Sequence, residues 1–273
     1  MARSVLVTGC SSGIGAAAAQ GLRARGWHVV ASARKPADVA RLEAEGFAAV
    51  RIDHHDSASI ADGFAAAVAA AGGRIDALFN NAGHGMPGAA EDLPRGALEE
   101  VFSSNLFGLH ELTRHAIGHM RGHGGGRIVQ HSSVVGFTPL KWRAAYVATK
   151  HALEGLTNTM RVELRGSGIH VSILNTGPVT SGFRDRSMAA FDRWIDVDAS
   201  CHAAFYRETW MARREGGRDL FELGPEAVVK KLVHALESPR PRRRYYITTP
   251  AYAAAVLTRI LPGAIQDRII DRL

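Results

Sequence analysis

The stretch Thr8-Gly9-Cys10-Ser11-Ser12-Gly13-Ile14-Gly15 lies between a short apolar run and an alanine-rich segment. The run at 4–8 predicts a buried strand, and the pattern at 14–25 predicts a helix that ends at Gly26. Glycines at such a junction permit a tight turn and let the backbone approach a pyrophosphate, which then binds at the helix N-terminus. The glycines alone are a weak signal, because an ordinary turn with a helix cap also contains them.

Short apolar runs alternate with helical patterns through the rest of the chain. Strands joined by helices in this way form right-handed βαβ units and a parallel sheet. We therefore predict an α/β fold, a single-domain Rossmann-type doubly wound parallel sheet. The predicted strands are 4–8, 27–32, 47–52, 75–79, 127–132, 169–174 and 244–248. The predicted helices are 14–25, 36–45, 57–71, 95–121, 144–166 and 225–237.

Two segments depart from this alternation. Residues 182–222 mix aromatic side chains with many charges, which predicts a helical insertion or lid over a substrate. Residues 250–273 form an amphipathic tail, and a stripe of this kind usually packs on its own domain or on a partner subunit. A basic amphipathic helix on an anionic membrane surface is the alternative, which we do not favour. The predicted stripe consists of Leu257, Ile260, Leu261, Ile265, Ile269 and Leu273. No linker divides the chain, so 1–273 is expected to form one domain.

Composition narrows the class of protein. Of the 273 residues, 46% are hydrophobic and 22% are charged, as in a globular protein with a full core. The two cysteines, Cys10 and Cys201, provide no disulfide framework and favour a reducing cytoplasm. The net charge of +7 is concentrated at 240–244 without a nucleic-acid-binding motif, so no nucleic acid partner is predicted. The sequence contains no uninterrupted apolar run of about 18 residues, so no membrane-spanning helix is predicted. The segment that starts at Met1 is expected to be folded protein rather than a signal peptide. No metal site is predicted.

Further motifs follow the glycine-rich turn in a fixed order. Asn80-Asn81-Ala82-Gly83 follows the fourth strand, Asn105 lies in the long helix, and Ser133 ends the fifth strand. Tyr146 and Lys150 form Y-x-x-x-K, thirteen residues after Ser133, and Gly177-Pro178-Val179 closes the sixth strand. With the G-x-x-x-G-x-G spacing of the turn, these motifs resemble the short-chain dehydrogenase/reductase family over most of the chain.

Several short stretches of the sequence resemble one subgroup of that family. The stretches 7–15 and 177–183 are similar to hydroxysteroid and retinol dehydrogenases, whereas 33–39 and Leu261-Pro262-Gly263 resemble bacterial NADP-dependent aldehyde reductases. The resemblance implies hydride transfer between a nicotinamide and an apolar aldehyde or ketone, or the matching alcohol. It also implies a homodimer or homotetramer, often formed through the long helices 95–121 and 144–166. Two pairs depart from the subgroup: Asn175-Thr176 replaces Glu-Pro, and Gln130-His131 replaces Asn-Ile.

The charge after the second strand indicates which nicotinamide is used. The resemblance implies an acidic residue there in NAD enzymes, but this chain has Ala33 followed by Arg34 and Lys35. Arginine binds a ribose phosphate with charge assistance, and the Ser12 hydroxyl lies in the nearby turn. We therefore predict NADP(H); the alternative is that Arg34 only caps a loop. Asp53 matches the adenine-contacting acid of the family or else caps the next helix. The predicted cofactor-binding residues are Gly9, Ser11, Ser12, Gly13, Ile14, Gly15, Arg34, Lys35, Asp53, Asn81, Ala82, Gly83, Tyr146, Lys150, Pro178, Val179 and Ser181.

The predicted catalytic residues are Tyr146, Lys150, Ser133 and Asn105. Lys150 lies one helical turn after Tyr146, and its ammonium is expected to lower the tyrosine pKa from the usual value near 10. Tyr146 then acts as general acid in carbonyl reduction and as base in the reverse direction. The resemblance implies that Ser133 holds the substrate oxygen, Lys150 binds the nicotinamide ribose, and Asn105 holds a water beneath Lys150. The expected substrate entrance consists of His84, Met86, Leu140, Lys141 and Trp142.

Two other classes of function fit parts of the sequence less well than a reductase. A catalytically silent NADP-binding sensor would retain the fold and cofactor site, but the presence of both Tyr146 and Lys150 disfavours it. Epimerisation or dehydration of nucleotide sugars is disfavoured by the glycine spacing.

Overall fold

The computed structural model describes residues 2–210 and 220–272. Its centre is a seven-stranded sheet in the order β3-β2-β1-β4-β5-β6-β7, in which every neighbouring pair is parallel. The predicted Rossmann-type fold is therefore confirmed. The strands are β1 (Ser4–Val7), β2 (His28–Ala33), β3 (Ala48–Arg51), β4 (Ala77–Asn80), β5 (Gly126–Ser133), β6 (Ile169–Thr176) and β7 (Arg244–Ile247).

Helices cover both faces of this sheet. The helices before the sixth strand are α1 (Gly13–Arg23), α2 (Pro36–Ala44), α3 (Ser57–Ala70), α4 (Arg95–Phe102), α5 (Gly108–Gly122) and α6 (Ala144–Glu163). Those after it are α7 (Phe183–Trp194), α8 (Ala203–Phe205), α9 (Glu226–Glu237), α10 (Thr249–Ile260) and α11 (Gly263–Ile270). The described residues also form two π-helical segments, Ser103–Phe107 and Tyr206–Trp210, and two 3₁₀ helices, Ala90–Asp92 and Val134–Gly136.

The core lies on both faces because side chains alternate along each strand. In β1, Val5 and Val7 pack with α1 and α9, whereas Leu6 packs on the other face with α3 and α5. All four residues of β1 are buried. A strand covered on both sides needs apolar residues throughout, which is why β1 is continuously apolar after Ser4.

The predicted helix over 95–121 is interrupted. Its middle turn, Ser103–Phe107, is π-helical and contains the buried Asn105. The Asn105 side chain is held outside the helix, because its Nδ2 donates to the His84 carbonyl at 2.8 Å and its Oδ1 accepts from the His84 N–H at 3.1 Å. Single π turns of this kind are frequent at functional sites. The prediction of one uninterrupted helix over 95–121 is therefore wrong, and the interruption contains Asn105, a predicted catalytic residue.

The tail 250–273 forms two helices, so its apolar residues do not lie on one continuous stripe. Helix α10 ends at Ile260 and α11 begins at Gly263, because Pro262 has no N–H with which to continue the first helix. The residues of the predicted stripe consequently point in different directions: Leu257, Leu261 and Ile269 line a cavity, whereas Ile260 is 67% exposed. Leu273 lies outside the described residues.

The described part of 182–222 is largely helical and packs around a third core cluster. Phe191, Tyr206 and Trp210 form its centre with Met86 and Val101. The remaining residues of this predicted lid, 211–219, lie outside the described part of the chain. Among the described helices, none combines the length and the apolar character that crossing a membrane requires.

Candidate active site

A cavity of about 1840 Å³ lies at the carboxyl edge of the parallel strands. Ligands of open α/β sheets bind at this edge. The structure brings almost all of the predicted cofactor residues to its wall: Gly9, Ser11, Ser12, Ile14, Arg34, Lys35, Asp53, Asn81, Ala82, Gly83, Tyr146, Lys150, Pro178, Val179 and Ser181. Gly13 and Gly15 are not part of the wall; they shape the turn behind it.

The glycine-rich turn is built for a close backbone approach. Gly9 has a φ of +74°, and a Cβ on Gly15 would lie 2.1 Å from the Gly9 carbonyl oxygen. Helix α1 therefore begins directly against the cavity. Its first turn contains no acidic side chain, so no carboxylate competes with an anion for the free N–H groups there.

The Asn81 loop is fixed to this turn by hydrogen bonds. The Thr8 hydroxyl accepts from the N–H groups of Asn81 at 2.9 Å and Ala82 at 3.0 Å, and Asn81 Nδ2 donates to the Thr8 carbonyl at 2.9 Å. The Asn81 Oδ1 atom remains as an acceptor and takes a hydrogen bond from His131 Nδ1 at 2.9 Å. The two loops therefore form one rigid edge of the cavity.

Positive charge lines the far end of the same cavity. The loop after β2 is held by Arg51, whose Nε donates to the Arg34 carbonyl at 3.2 Å. Among residues 2–210 and 220–272, the Arg34 guanidinium itself donates no hydrogen bond, so the loop-cap alternative for Arg34 has no support. Arg186, which the sequence did not indicate, donates from Nη1 to the Ser12 hydroxyl at 3.0 Å.

Asp53 accepts from the backbone N–H of His55 at 3.1 Å and contacts its ring at 3.0 Å. The cap of helix α3 is a different residue, Asp56, which accepts from the N–H groups of Ala58 and Ser59. The alternative that Asp53 caps this helix is therefore wrong. Its carboxylate lies on the cavity wall at the end where Arg34 also lies.

Three of the four predicted catalytic residues share the opposite end. Helix α6 places Lys150 Nζ 5.7 Å from the centre of the Tyr146 ring, and the ammonium donates to the His131 carbonyl at 2.8 Å. Ser133 ends β5, where its hydroxyl donates to the Thr176 carbonyl at 3.2 Å. All three side chains face the cavity.

The ionisation of this group differs from the expectation. Burial raises the pKa of Tyr146 above its usual value, although a hydrogen bond with the Ser133 hydroxyl and the charge of Arg143 oppose the rise. Burial also lowers the pKa of Lys150 to about 8, while Glu154 opposes that fall. The prediction of a lowered tyrosine pKa is wrong for this structure, because desolvation of the phenolate outweighs the nearby positive charge. Tyr146 is held as a neutral phenol, the form that can donate a proton.

Asn105 is placed differently from the other three. It is fully buried and lies outside the cavity wall. Besides its bonds to His84, its Oδ1 accepts from the Ser104 hydroxyl at 3.0 Å and its Nδ2 donates to Thr149 at 3.4 Å. The side chain therefore fixes the loop after Gly83 onto the π-helical segment and α6 and supports the cavity from behind.

The predicted substrate entrance is only partly right. His84 and Leu140 line the cavity, but Met86 is buried in the third core cluster. Trp142 stacks on Phe205 with ring centres 4.3 Å apart. Lys141 Nζ pairs with the Asp271 carboxylate at 2.5 Å. These three side chains turn away because the lid and tail, whose positions the sequence did not predict, provide partners for them.

Much of the remaining wall is apolar and comes from segments without a motif, although charged side chains such as Glu100, Asp185 and Arg193 also line it. Phe183 lies with its ring centre 5.2 Å from that of Tyr146. The lid and tail supply further apolar side chains, namely Met188, Leu220, Phe221, Leu257, Leu261, Ile269 and Ile270. The sequence contained no signal that would have assigned the tail residues to the site, because their contact is set by the turn at Pro262.

Fold and site together define a Rossmann-type oxidoreductase that binds a nicotinamide nucleotide. The family model for short chain dehydrogenase matches residues 3–190. The chain belongs to the short-chain dehydrogenase/reductase family, as the sequence motifs predicted.

Known proteins similar to the chain include bacterial and human members. The Escherichia coli K12 protein named uncharacterized oxidoreductase YbbO is 40% identical and covers 99% of this chain and 95% of its own length. Human 17-beta-hydroxysteroid dehydrogenase type 1 is 32% identical, covering 91% of this chain and 78% of its own. A solved short chain dehydrogenase/reductase from Burkholderia phymatum, in complex with NAD, has a TM-score of 0.79 at 28% identity, covering 98% of this chain and 95% of that chain.

Proposed function

We propose that this oxidoreductase is NADP(H)-dependent and reduces apolar aldehydes or ketones, such as retinal-, steroid- or aliphatic aldehyde-like compounds, or oxidises the matching alcohols. One observation carries the proposal. The cavity has Ser133, a neutral Tyr146 and Lys150 at one end, a basic loop at the other, and apolar side chains from the lid and tail along part of its wall.

The residues at the glycine-rich turn fit a dinucleotide. The close approach of Gly9 and Gly15 and the free N–H groups of α1 suit a pyrophosphate. Arg34, Lys35 and Asp53 would hold the adenosine end, whereas Lys150, Val179 and Ser181 would hold the nicotinamide end. When bound, the reduced nicotinamide supplies a hydride to the carbonyl carbon of the substrate.

The chain's own residues handle the proton. Tyr146 donates the phenolic proton to the carbonyl oxygen as that oxygen gains negative charge, and the C–O double bond becomes an alcohol. The Ser133 hydroxyl donates a hydrogen bond to the same oxygen and orients it. The Lys150 ammonium stabilises the tyrosinate that remains until it regains a proton from solvent.

Cationic groups support the assignment of NADP(H). The Arg34 guanidinium faces the cavity, and Arg186 contacts the Ser12 hydroxyl in the turn. A ribose phosphate would receive charge-assisted hydrogen bonds from such groups. The similar Burkholderia protein binds NAD, so the choice of cofactor depends on these side chains and not on family membership.

Turnover with NADPH tests the proposal. We expect NADPH oxidation with medium-chain aldehydes, steroid ketones or retinal, and rates with NADH that are at least about tenfold lower at equal concentration. Absorbance at the reduced nicotinamide band measures both. Tight NADPH binding without turnover of any compound in the panel would contradict the reductase and favour the silent sensor.

The tail predicts substrate selectivity. Ile269 lines the cavity and is 40% exposed, whereas Ile265 in the same helix is 42% exposed and lies outside the wall. Ile269→Asp is expected to raise KM for long-chain aldehydes about 5- to 20-fold, because it places a charge where an apolar chain is buried. KM for a short aldehyde should change little.

Ile265→Asp is the matched control and should leave both KM values unchanged. An equal rise of KM for short and long substrates in Ile269→Asp, or the same effect from Ile265→Asp, would show that the tail does not contact the substrate chain.

We also propose a homo-oligomer, a dimer or tetramer, in a reducing cytoplasm. Exposed apolar side chains on the long helices support association: Leu98 on α4, Phe107 before α5 and Val162 on α6 are 36%, 60% and 54% exposed. Both cysteines are free thiols, with Cys10 buried and Cys201 exposed. Unpaired thiols are typical of reducing compartments.

A further inference from the structure

A buried carboxylate lies one helical turn beyond Lys150. Tyr146, Lys150 and Glu154 are spaced by four residues and therefore share one face of α6. The Glu154 side chain is only 7% exposed. Glu154 lies on the same face of α6 as the candidate catalytic residues, but the mechanism proposed above gives it no role.

Two side chains from the neighbouring strands hold this carboxylate. Asn175 on β6 donates from Nδ2 to Glu154 Oε1 at 2.6 Å, and Arg244 on β7 donates from Nη2 to Glu154 Oε2 at 2.6 Å. Arg244 also donates from Nη1 to Asn175 Oδ1 at 3.0 Å. Each of the three side chains thus bonds to the other two, forming a closed ring. We call Glu154, Asn175 and Arg244 the bracket.

The bracket contacts the candidate catalytic residues from behind. Asn175 Nδ2 also donates to the Ser133 carbonyl at 3.0 Å, so it fixes the backbone of the residue whose hydroxyl faces the cavity. On the helix side, the negative charge of Glu154 opposes the loss of the Lys150 proton that burial promotes. One cluster therefore acts on both Ser133 and Lys150.

We propose that the bracket residues Glu154, Asn175 and Arg244 are positioning residues, which hold Ser133 in place through its backbone and keep Lys150 in its charged form. The inference rests on the proposed reduction for its catalytic consequence. None of the three lines the cavity, so they act through Ser133 and Lys150 and do not touch substrate or cofactor.

Few other charges act on Lys150. The titratable groups packed around it are Tyr146 and Glu154 on its own helix and His131 on β5, with Arg244 on β7 behind Glu154. Burial lowers the pKa of His131 to about 3, which favours its neutral form. Removing the Glu154 charge should therefore lower the pKa of Lys150, since among the described residues Glu154 is the carboxylate that raises it.

Glu154→Gln keeps the shape and removes the charge. Lys150 is labelled with acetic anhydride at a series of pH values without added cofactor, and mass spectrometry measures the labelled fraction. The pH midpoint of labelling reports the ionisation of Lys150. We expect the midpoint to move at least about 0.5 pH unit lower than in the wild type. Glu237→Gln is the matched control: Glu237 at the end of α9 pairs with Arg25 just after α1, outside the cavity. It should lower stability and leave the Lys150 midpoint unchanged.

Two further variants separate the two parts of the bracket. Asn175→Leu removes the bonds to Ser133 and to Glu154 but leaves the Glu154 charge in place. It should lower kcat for NADPH-dependent reduction roughly tenfold or more while the labelling midpoint of Lys150 stays unchanged. Glu154→Gln combined with Arg244→Met avoids an unpaired buried cation if the single variant fails to fold, and should show the same lowered midpoint.

An unchanged midpoint in both Glu154 variants, or an unchanged kcat in Asn175→Leu, would overturn the inference. The labelling needs neither cofactor nor substrate. A lowered midpoint in a chain whose wild type reduces no carbonyl would therefore uphold the action of the bracket on Lys150 and count only against the proposed function.

Discussion

Tyr146→Phe is expected to lower kcat for carbonyl reduction by roughly 10²–10⁴-fold, the range that a positioned general acid contributes. The change removes one oxygen atom and keeps the ring that packs against Phe183. The dissociation constant for NADPH, measured from the fluorescence of the cofactor, should stay within about threefold of the wild-type value, because no phosphate contact is lost. The loss then falls on the transition state alone.

Tyr246→Phe is the matched control. Its hydroxyl also has a cationic partner, Arg259 Nη2 at 3.1 Å, but the residue lies outside the cavity. It should retain kcat within about twofold. A Tyr146→Phe variant with more than a tenth of wild-type kcat would mean that another group supplies the proton.

The pH profile carries a second consequence of the same site. Reduction requires a protonated Tyr146 and a charged Lys150. Because burial raises the pKa of Tyr146 and lowers that of Lys150 to about 8, Lys150 is the first of the two to lose its proton as the pH rises. The rate of reduction should therefore be steady below about pH 8 and fall above it.

The parallel sheet was predictable because the signals are local. A continuously apolar run such as β1, followed by a glycine-rich turn and an alanine-rich helix, specifies a buried parallel strand without reference to the rest of the chain. The motif residues Ser133, Tyr146 and Lys150 were likewise predictable, since each lies at the end of a strand or on one face of a helix. Local geometry therefore brings them to the same edge.

The parts that could not be predicted depend on long-range contacts. Nothing in the spacing of Lys141 and Trp142 indicates the tail and lid residues that draw them away from the cavity. The π turn at Asn105 likewise follows from bonds to His84, a residue on a different loop. Sequence periodicity reports which face of an element is apolar, and not which distant segment will cover it.

The two departures from the subgroup illustrate the same limit. In the sequence, Gln130-His131 and Asn175-Thr176 are unrelated pairs. The register of β5 and β6 brings them together, with His131 Nε2 3.1 Å from Thr176 Oγ1 and Asn175 bonded to the Ser133 carbonyl. The His131–Thr176 contact thus links one residue of each departure, whereas Gln130 donates to the Thr113 hydroxyl on α5. Single-site comparison with the family would have treated each as a separate irregularity.

Arg34→Ala is expected to weaken NADPH binding by roughly 10- to 150-fold while leaving NADH binding nearly unchanged, because only NADPH carries the ribose phosphate. The Arg34 guanidinium faces the cavity, and its loop is held independently by the bond from Arg51 to the Arg34 carbonyl. Truncating the side chain therefore removes the charge without releasing the loop. Fluorescence titration with both reduced cofactors measures the two dissociation constants.

The control for this prediction removes an equal charge from outside the cavity. Arg23 donates to the Glu45 carbonyl at 2.9 Å and covers the Phe47 ring, outside the cavity. Arg23→Ala should leave the ratio of the two constants unchanged. If Arg34→Ala weakens the binding of NADPH and of NADH equally, Arg34 shapes the adenosine end of the site but does not bind the ribose phosphate. A smaller loss in Arg186→Ala, again confined to NADPH, would show that the Ser12 hydroxyl and its arginine partner share the phosphate with Arg34.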